Sequence, residues 1–257
     1  MESPQPVKDS LPTRPLADAA AFLGRLEAAG RKAGFRIEPY GRASGYALQA
    51  LTRRTPGVLP RIYISSGIHG DEPAGPLALL EMIEAGVFDR RADWFLCPFL
   101  NPAGCSRGTR ENPDAVDLNR DYRNPQSEEV RAHVAWLSSQ PRFDVTLCVH
   151  EDWEAKGFYL YEQNPRGHPS LAAAILHAAS GFCPIDPSPT IDGREATGGI
   201  IRPSGDPLER EKWPESVYLR VNHTHLTYTI EAPSALPLAR RVAAHRAALE
   251  AAIRGML

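Results

Sequence analysis

The sequence has no apolar run near the ~20 residues that a membrane-spanning helix needs, so a membrane is not an expected partner. It has no excess of charge of one sign. Lys and Arg number 29 and Asp and Glu 31, a formal net charge of −2. Nucleic-acid binding normally leaves a basic footprint, and that class is excluded too. Cysteine is sparse: Cys97, Cys105, Cys148 and Cys183 form no CxxC pair, which argues against zinc-ribbon and thioredoxin-type sites. Reduced and mostly buried thiols are expected instead. No GxGxxG, no GxxxxGKS or GxxxxGKT and no GxSxG occurs, so neither a nucleotide cradle nor a serine-hydrolase elbow is indicated. The first fifteen residues lack the apolar segment of a secretory signal, and a cytoplasmic chain is expected.

What is present is the composition of a globular protein: 42% hydrophobic and 23% charged over 257 residues, enough for a sizeable core. Twenty-four prolines and twenty glycines are spread along the chain and imply many ordered loops. Residues 1–15 are polar and Pro-rich and read as a flexible N-terminal arm. No linker, composition shift or repeat divides residues 16–257, which read as one domain. Helical spacing marks 16–33, 74–86, 168–180 and 236–255. Ser127 caps a further helix, with Glu128 and Glu129 in its first turn. Strand patterns cover 35–40, 45–54, 61–66, 94–100, 143–150, 157–162 and 225–231. The polar stretch 101–126 reads as a long functional loop, and 183–216 is loop-rich. This alternation predicts an α/β fold: a mostly parallel, mixed central sheet with helices on both faces.

Sites in such sheets gather beyond the carboxyl ends of the strands. Three strands end in groups that can bind or serve a metal ion: RIYISSGIHGDE with His69 and Glu72, DVTLCVHED with His150, and LTYTIE with Glu231. An imidazole and a carboxylate three residues apart can meet one ion, and a second His completes a His₂Glu set. That set leaves a position open for water, the catalytic rather than the closed structural pattern. Glu231 is then a carboxylate near the metal but not on it, as a general base must be.

The loop NPAGCSRGTRENPDAVDLNRDY carries the decisive pattern. A DLNR segment downstream of HxxE, with an Arg nine positions before the Asn, resembles the zinc carboxypeptidases (the M14 metallocarboxypeptidase or funnelin family). The resemblance runs from about Arg61 to Glu231 in the family's order. It implies that one zinc ion per chain is held by His69, Glu72 and His150. It implies that Arg110 polarises the scissile carbonyl, that Asn119 and Arg120 grip the substrate's free carboxylate, and that Glu231 is the general base and acid. A guanidinium fork suits a carboxylate, and an Arg beside a developing oxyanion stabilises it. The short His69–Arg120 interval and the expected lack of an inhibitory prodomain are similar to the small bacterial members. The expected activity is removal of a C-terminal residue from a peptide, including a murein-type peptide. The alternative is the deacylase branch (succinylglutamate desuccinylase and aspartoacylase), acting on an N-acyl amino acid. Only one helix follows Glu231, whereas that branch usually adds a β-rich domain.

Rival readings stay open at this level. His223 and His225 form an HTH on a strand face shared with Glu231, as polar lining or as metal ligands. Asp71 can support His69 from behind, and Asp117 can orient the loop. Glu151 and Asp152 are either solvated or face substrate. Cys148 shares the strand face of His150 and reads as packing. Arg107 rivals Arg110 for the carbonyl role. Tyr218 lies where the larger members carry a mobile Tyr and is not assigned. A non-catalytic zinc-binding protein is the remaining class.

Overall fold

The computed structural model describes residues 14–257, so residues 1–13 of the expected arm lie outside the described residues. Seven helices run α1 (Ala19–Lys32), α2 (Ala74–Glu84), α3 (Pro102–Arg107), α4 (Glu128–Ser138), α5 (Ala172–Ala179), α6 (Glu215–Asn222) and α7 (Leu238–Met256). The ten strands are β1 (Arg36–Ala43), β2 (Tyr46–Arg53), β3 (Arg61–Ser66), β4 (Asp93–Cys97), β5 (Val145–Asp152), β6 (Tyr159–Gln163), β7 (Thr190–Ile191), β8 (Arg194–Thr197), β9 (Ile200–Ile201) and β10 (Thr227–Pro233). They form one sheet in the order β1-β2-β4-β3-β5-β10-β6-β9-β8-β7. The four central strands β4, β3, β5 and β10 are mutually parallel. β1, β2 and β6 pair antiparallel at their flanks.

Alternation along the central strands separates two cores. Ile62, Ile64, Val145, Leu147 and Val149 face one side, packed with α1, α2, α5 and α7 through residues such as Phe22, Leu79, Ile175 and Leu249. Tyr63, Phe95, Cys97 and Cys148 face the other, under Val130, Trp136 and Leu137 of α4 and Leu219 of α6. Helices thus cover both faces, as the alternating pattern predicts. Each fully buried Ile or Leu of these layers contributes about 1.5–3 kcal/mol. All four cysteines are free and buried.

Helix starts follow local chemistry. Asp18 accepts from Ala21 N–H ahead of α1, and Ser127 accepts from Val130 N–H ahead of α4. The 101–126 stretch is not wholly loop. Asn101 accepts from Gly104 N–H, Pro102 occupies the first helical position, and together they start α3, which ends at Gly108 with φ +66°. The HTH segment also differs from its reading as strand. His223 ends α6, and β10 begins only at Thr227. His223 is buried against Phe143 and Tyr218, and burial favours the helix end over an exposed extended edge.

One close approach positions the site. A Cβ on Gly70 would lie 2.0 Å from the carbonyl carbon of Gly104, so the turn after β3 presses directly on α3. Gly70 N–H donates to the Arg110 carbonyl at 3.3 Å across the same contact. Gly70→Ala is therefore expected to cost about 1–3 kcal/mol, as overpacking does. Gly24→Ala in α1, with nothing within 4 Å, should gain about 0.5–1 kcal/mol. Urea unfolding checks both, and a Gly70→Ala protein as stable as the parent would remove this contact from the account.

Candidate metal centre and active-site cleft

The parallel strands bring three separate segments to one edge. β3 ends at Ser66, and the following turn carries His69 and Glu72. β5 carries His150, and β10 carries Glu231 in direct register with it. His69, Glu72 and His150 each offer a ligand atom, and these atoms lie within 4.8 Å of one another. Glu72 sits between the rings: Oε1 is 2.5 Å from His69 Nδ1, and Oε2 is 3.0 Å from His150 Nδ1. All three residues are buried.

The electrostatics fit a cation at this point. Burial alone would raise the Glu72 carboxyl, but the two imidazoles outweigh it and hold Glu72 well below the ordinary range. His69 is opposed by burial yet pushed up to about 9 by Glu72 and by its bond to Asp117. A carboxylate clasped by two rings demands positive charge, which protons or a metal ion supply. Two imidazoles and one carboxylate are also the donor set of an open, catalytic metal position.

Asp117 is the hub behind the cluster. Its Oδ1 accepts from His69 Nε2–H at 3.3 Å and from Asn119 N–H at 2.9 Å, and its Oδ2 accepts from Arg110 Nε–H at 3.2 Å. Asp117, not Asp71, is the carboxylate behind His69, and Asp71 is exposed. A carboxylate on the far ring nitrogen fixes the tautomer and leaves Nδ1 free to ligate. Arg110 Nη1 reaches to 3.6 Å from Glu72 Oε1. Arg107 is exposed in the last turn of α3 and is not among the cleft residues.

Asn119 and Arg120 follow on a 3₁₀ turn that Asp117 caps. Asn119 Oδ1 accepts from Glu215 N–H at 2.9 Å, which turns its amide nitrogen to donate elsewhere. Glu215 is buried, and its carboxylate accepts from Tyr63 Oη at 2.6 Å and Ser65 Oγ at 2.9 Å. Sequence reasoning missed this anchor, because α6 fell within a stretch without helical signal. Tyr218 packs on Tyr122 and His223 away from the cleft. His225 pairs with Arg142 before the start of β10. Glu231 lies four positions along β10 from Thr227, about 13 Å at ~3.3 Å per residue, so the HTH does not reach the cluster.

A cleft of about 840 Å³ opens over these groups. His69, Glu72, Arg110, Asn119, Arg120, His150 and Glu231, the residues given site roles by the resemblance, all line it. Its far wall adds Tyr159 and Tyr161 from the expected strand at 157–162, and Asp192, Arg194, Arg210 and Lys212 from the loop-rich region, none of them singled out from the sequence.

Residues 58–182 match the family model of the succinylglutamate desuccinylase/aspartoacylase catalytic domain. Murein peptide amidase A of Escherichia coli K12 is 34% identical over 89 residues, 34% of this chain and 35% of that protein. The match thus spans about a third of the curated relative's length. A solved structure from Shewanella amazonensis SB2B, named as a metallopeptidase, superposes with a TM-score of 0.82 at 25% identity over 94% of both chains. A metallo-carboxypeptidase from Burkholderia cenocepacia shares the fold, with a TM-score of 0.66 at 21% identity over 91% of this chain and 67% of that one. The family model thus covers just under half of the chain, and in its fold the chain is similar to metallopeptidases of the zinc-carboxypeptidase type. Among the described residues, no helix is long and apolar enough to cross a membrane.

Burial pushes Glu231 from 4.5 to about 8, with His150 opposing and Glu72 adding to the rise. Between those pH values the folded, metal-free protein keeps a proton that the unfolded chain has released. Stability from this group is therefore complete below about 4.5 and is lost as pH rises through about 8. Chelator-treated Glu231→Gln should gain stability over the parent between pH 5 and 8.5, read by urea unfolding. Parallel pH profiles for the two proteins would contradict the raised Glu231 carboxyl.

Proposed function

We propose that the protein is a zinc-dependent hydrolase that cleaves an amide bond next to a free carboxylate, acting as a metallocarboxypeptidase. The observation that carries this reading is the meeting of His69, Glu72 and His150 in one cluster, with Glu231 in register beside it. In this reading those three residues hold the ion. Bound zinc supplies a Lewis acid and brings the pKa of water toward ~7. Glu231 takes the proton of the attacking water and returns one to the leaving nitrogen. Arg110, braced by Asp117, stabilises the oxyanion. The Asn119 amide and the Arg120 guanidinium hold the terminal carboxylate.

The cleft wall supports a substrate class. Arg120, Arg194 and Arg210 line it, and none has an ion-pair partner among the described residues. Burial and then the charges of Arg194 and Arg120 pull Arg210 below its ordinary value, as crowded cations do. Asp192 offsets part of the charge at Arg210, one terminal carboxylate offsets part of the rest, and a second acidic group on the leaving residue matches the remainder. A murein-type peptide ending in diaminopimelate has that chemistry, and the similarity to murein peptide amidase A points the same way.

The match to the deacylase catalytic domain favours a second reading, an N-acyl amino acid as substrate. A paired assay separates the two. Free-acid peptides, murein tripeptide included, form one panel, and N-succinylglutamate and N-acetylaspartate form the other. Release of C-terminal residues supports the first reading; release of the acyl group alone supports the second.

Glu231→Gln should lower turnover about 10²–10⁴-fold with metal content intact. Full activity in that variant would remove the general base from the account. Arg120→Ala should raise KM for free-acid peptides, and equal cleavage of amidated and free-acid peptides by the parent would contradict the carboxylate clamp. Arg210→Ala should weaken acidic-ended substrates selectively; an equal loss on neutral ones would dismiss the subsite.

A further inference from the structure

Glu151 directly follows His150 but projects to the opposite face of β5, and its side chain is fully buried. Its Oε1 accepts from Ala74 N–H at 2.6 Å. Its Oε2 accepts from Arg241 Nη1 of α7. Ala74 is the first residue of α2 and lies two positions after Glu72. α2 has no side-chain cap of its own, because Pro73 occupies the capping position. A carboxylate from the neighbouring strand therefore satisfies an orphan N–H at the positive end of that helix.

We propose that the Glu151–Arg241 pair is the positioning device that holds Glu72 and His150 at ligating distance and so sets the affinity of the metal centre. The inference rests on the metal-centre reading above. Residues 72, 73, 74, 151 and 150 form a closed circuit: the Ala74–Glu151 bond at 2.6 Å closes one side and the Glu72–His150 contact at 3.0 Å the other. Pro73 stiffens the short side of the circuit through its fixed φ. Arg241 anchors it to α7, which packs on both α2 and β10. Among the described residues, Arg241 Nε has no hydrogen-bond partner. Glu151 is the sole ion-pair partner of Arg241 among the described residues. Loss of Glu151 frees the start of α2 from β5, and the two ligands drift apart while the remaining fold persists. Metal ligands need placement within about 0.5 Å, so a small drift weakens binding strongly.

The test is the zinc dissociation constant of the folded protein, measured by chelator competition, with the melting temperature of the metal-free form recorded alongside. Glu151→Ala should raise the zinc Kd about 10–100-fold, the range for loss of a residue that orients a ligand. Leu249→Ala, a buried cavity in the same α7, should lower the melting temperature at least as much and leave the Kd within about twofold. Glu151→Gln strands the Arg241 charge and should raise the Kd as well. The Glu151→Gln/Arg241→Met double variant keeps an acceptor for Ala74 N–H and should recover most of the affinity, whether or not Glu151→Ala folds. A parent-like Kd in Glu151→Gln, or an equal loss in Leu249→Ala, would overturn the positioning role. His150→Ala is the reference: if it too binds zinc as the parent does, the metal centre itself is wrong and the inference falls with it.

Discussion

A buried carboxylate between two imidazoles is the constraint on which the remaining structure turns. Glu72 is 5% exposed and meets His69 and His150 from segments 78 residues apart. Leaving such a group without a positive partner would be expensive, because burial penalises the charged form. The fold therefore has to bring two rings to it and keep them there. Parallel pairing of β3, β5 and β10 does this by ending three strands at the same edge of the sheet. The turn after β3 then folds against α3, where two glycines permit backbone contact.

From that constraint the site builds outward in shells of opposite charge. Asp117 backs His69, steadies Arg110 and caps the turn that carries Asn119 and Arg120. Glu215 holds the Asn119 amide from beneath, through a network that reaches Tyr63, His133 and Tyr122. Asp117 thus orients Arg110 and the turn of Asn119 and Arg120, and the Glu215 N–H fixes the Asn119 amide. The row from Arg120 to Arg210 and Arg194 is the exception. Its three guanidiniums have no ion-pair partner among the described residues, although Asp192 lies near enough to offset part of the charge at Arg210.

Much of this was legible in the sequence for physical reasons. Buried strands such as RIYISS and the Ser127-capped helix have strong local signatures, and β3 and the start of α4 fall where those signatures put them. The cluster of His69, Glu72, His150 and Glu231 was legible because parallel sheets collect function at carboxyl strand ends. What was not legible depends on tertiary contact. The role of Asp117 rather than Asp71 behind His69 follows from how the DLNR turn docks on the HGDE turn, 48 residues earlier in the chain. α6 and the end of the HTH strand reading depend on the burial of His223 and Glu215, which no local pattern announces. The part of the far wall outside β6 comes from short strands and turns of 183–216, whose two-residue pairings carry little periodicity.

The central claim is that His69, Glu72 and His150 form one metal-binding centre. Anomalous diffraction at the zinc edge from crystals of the zinc-loaded protein tests it most directly. The account predicts one strong peak within about 2.0–2.2 Å of Nδ1 of both His69 and His150 and of a Glu72 carboxylate oxygen. A peak at His223 and His225 with none at the cluster, or no peak at all, would contradict it.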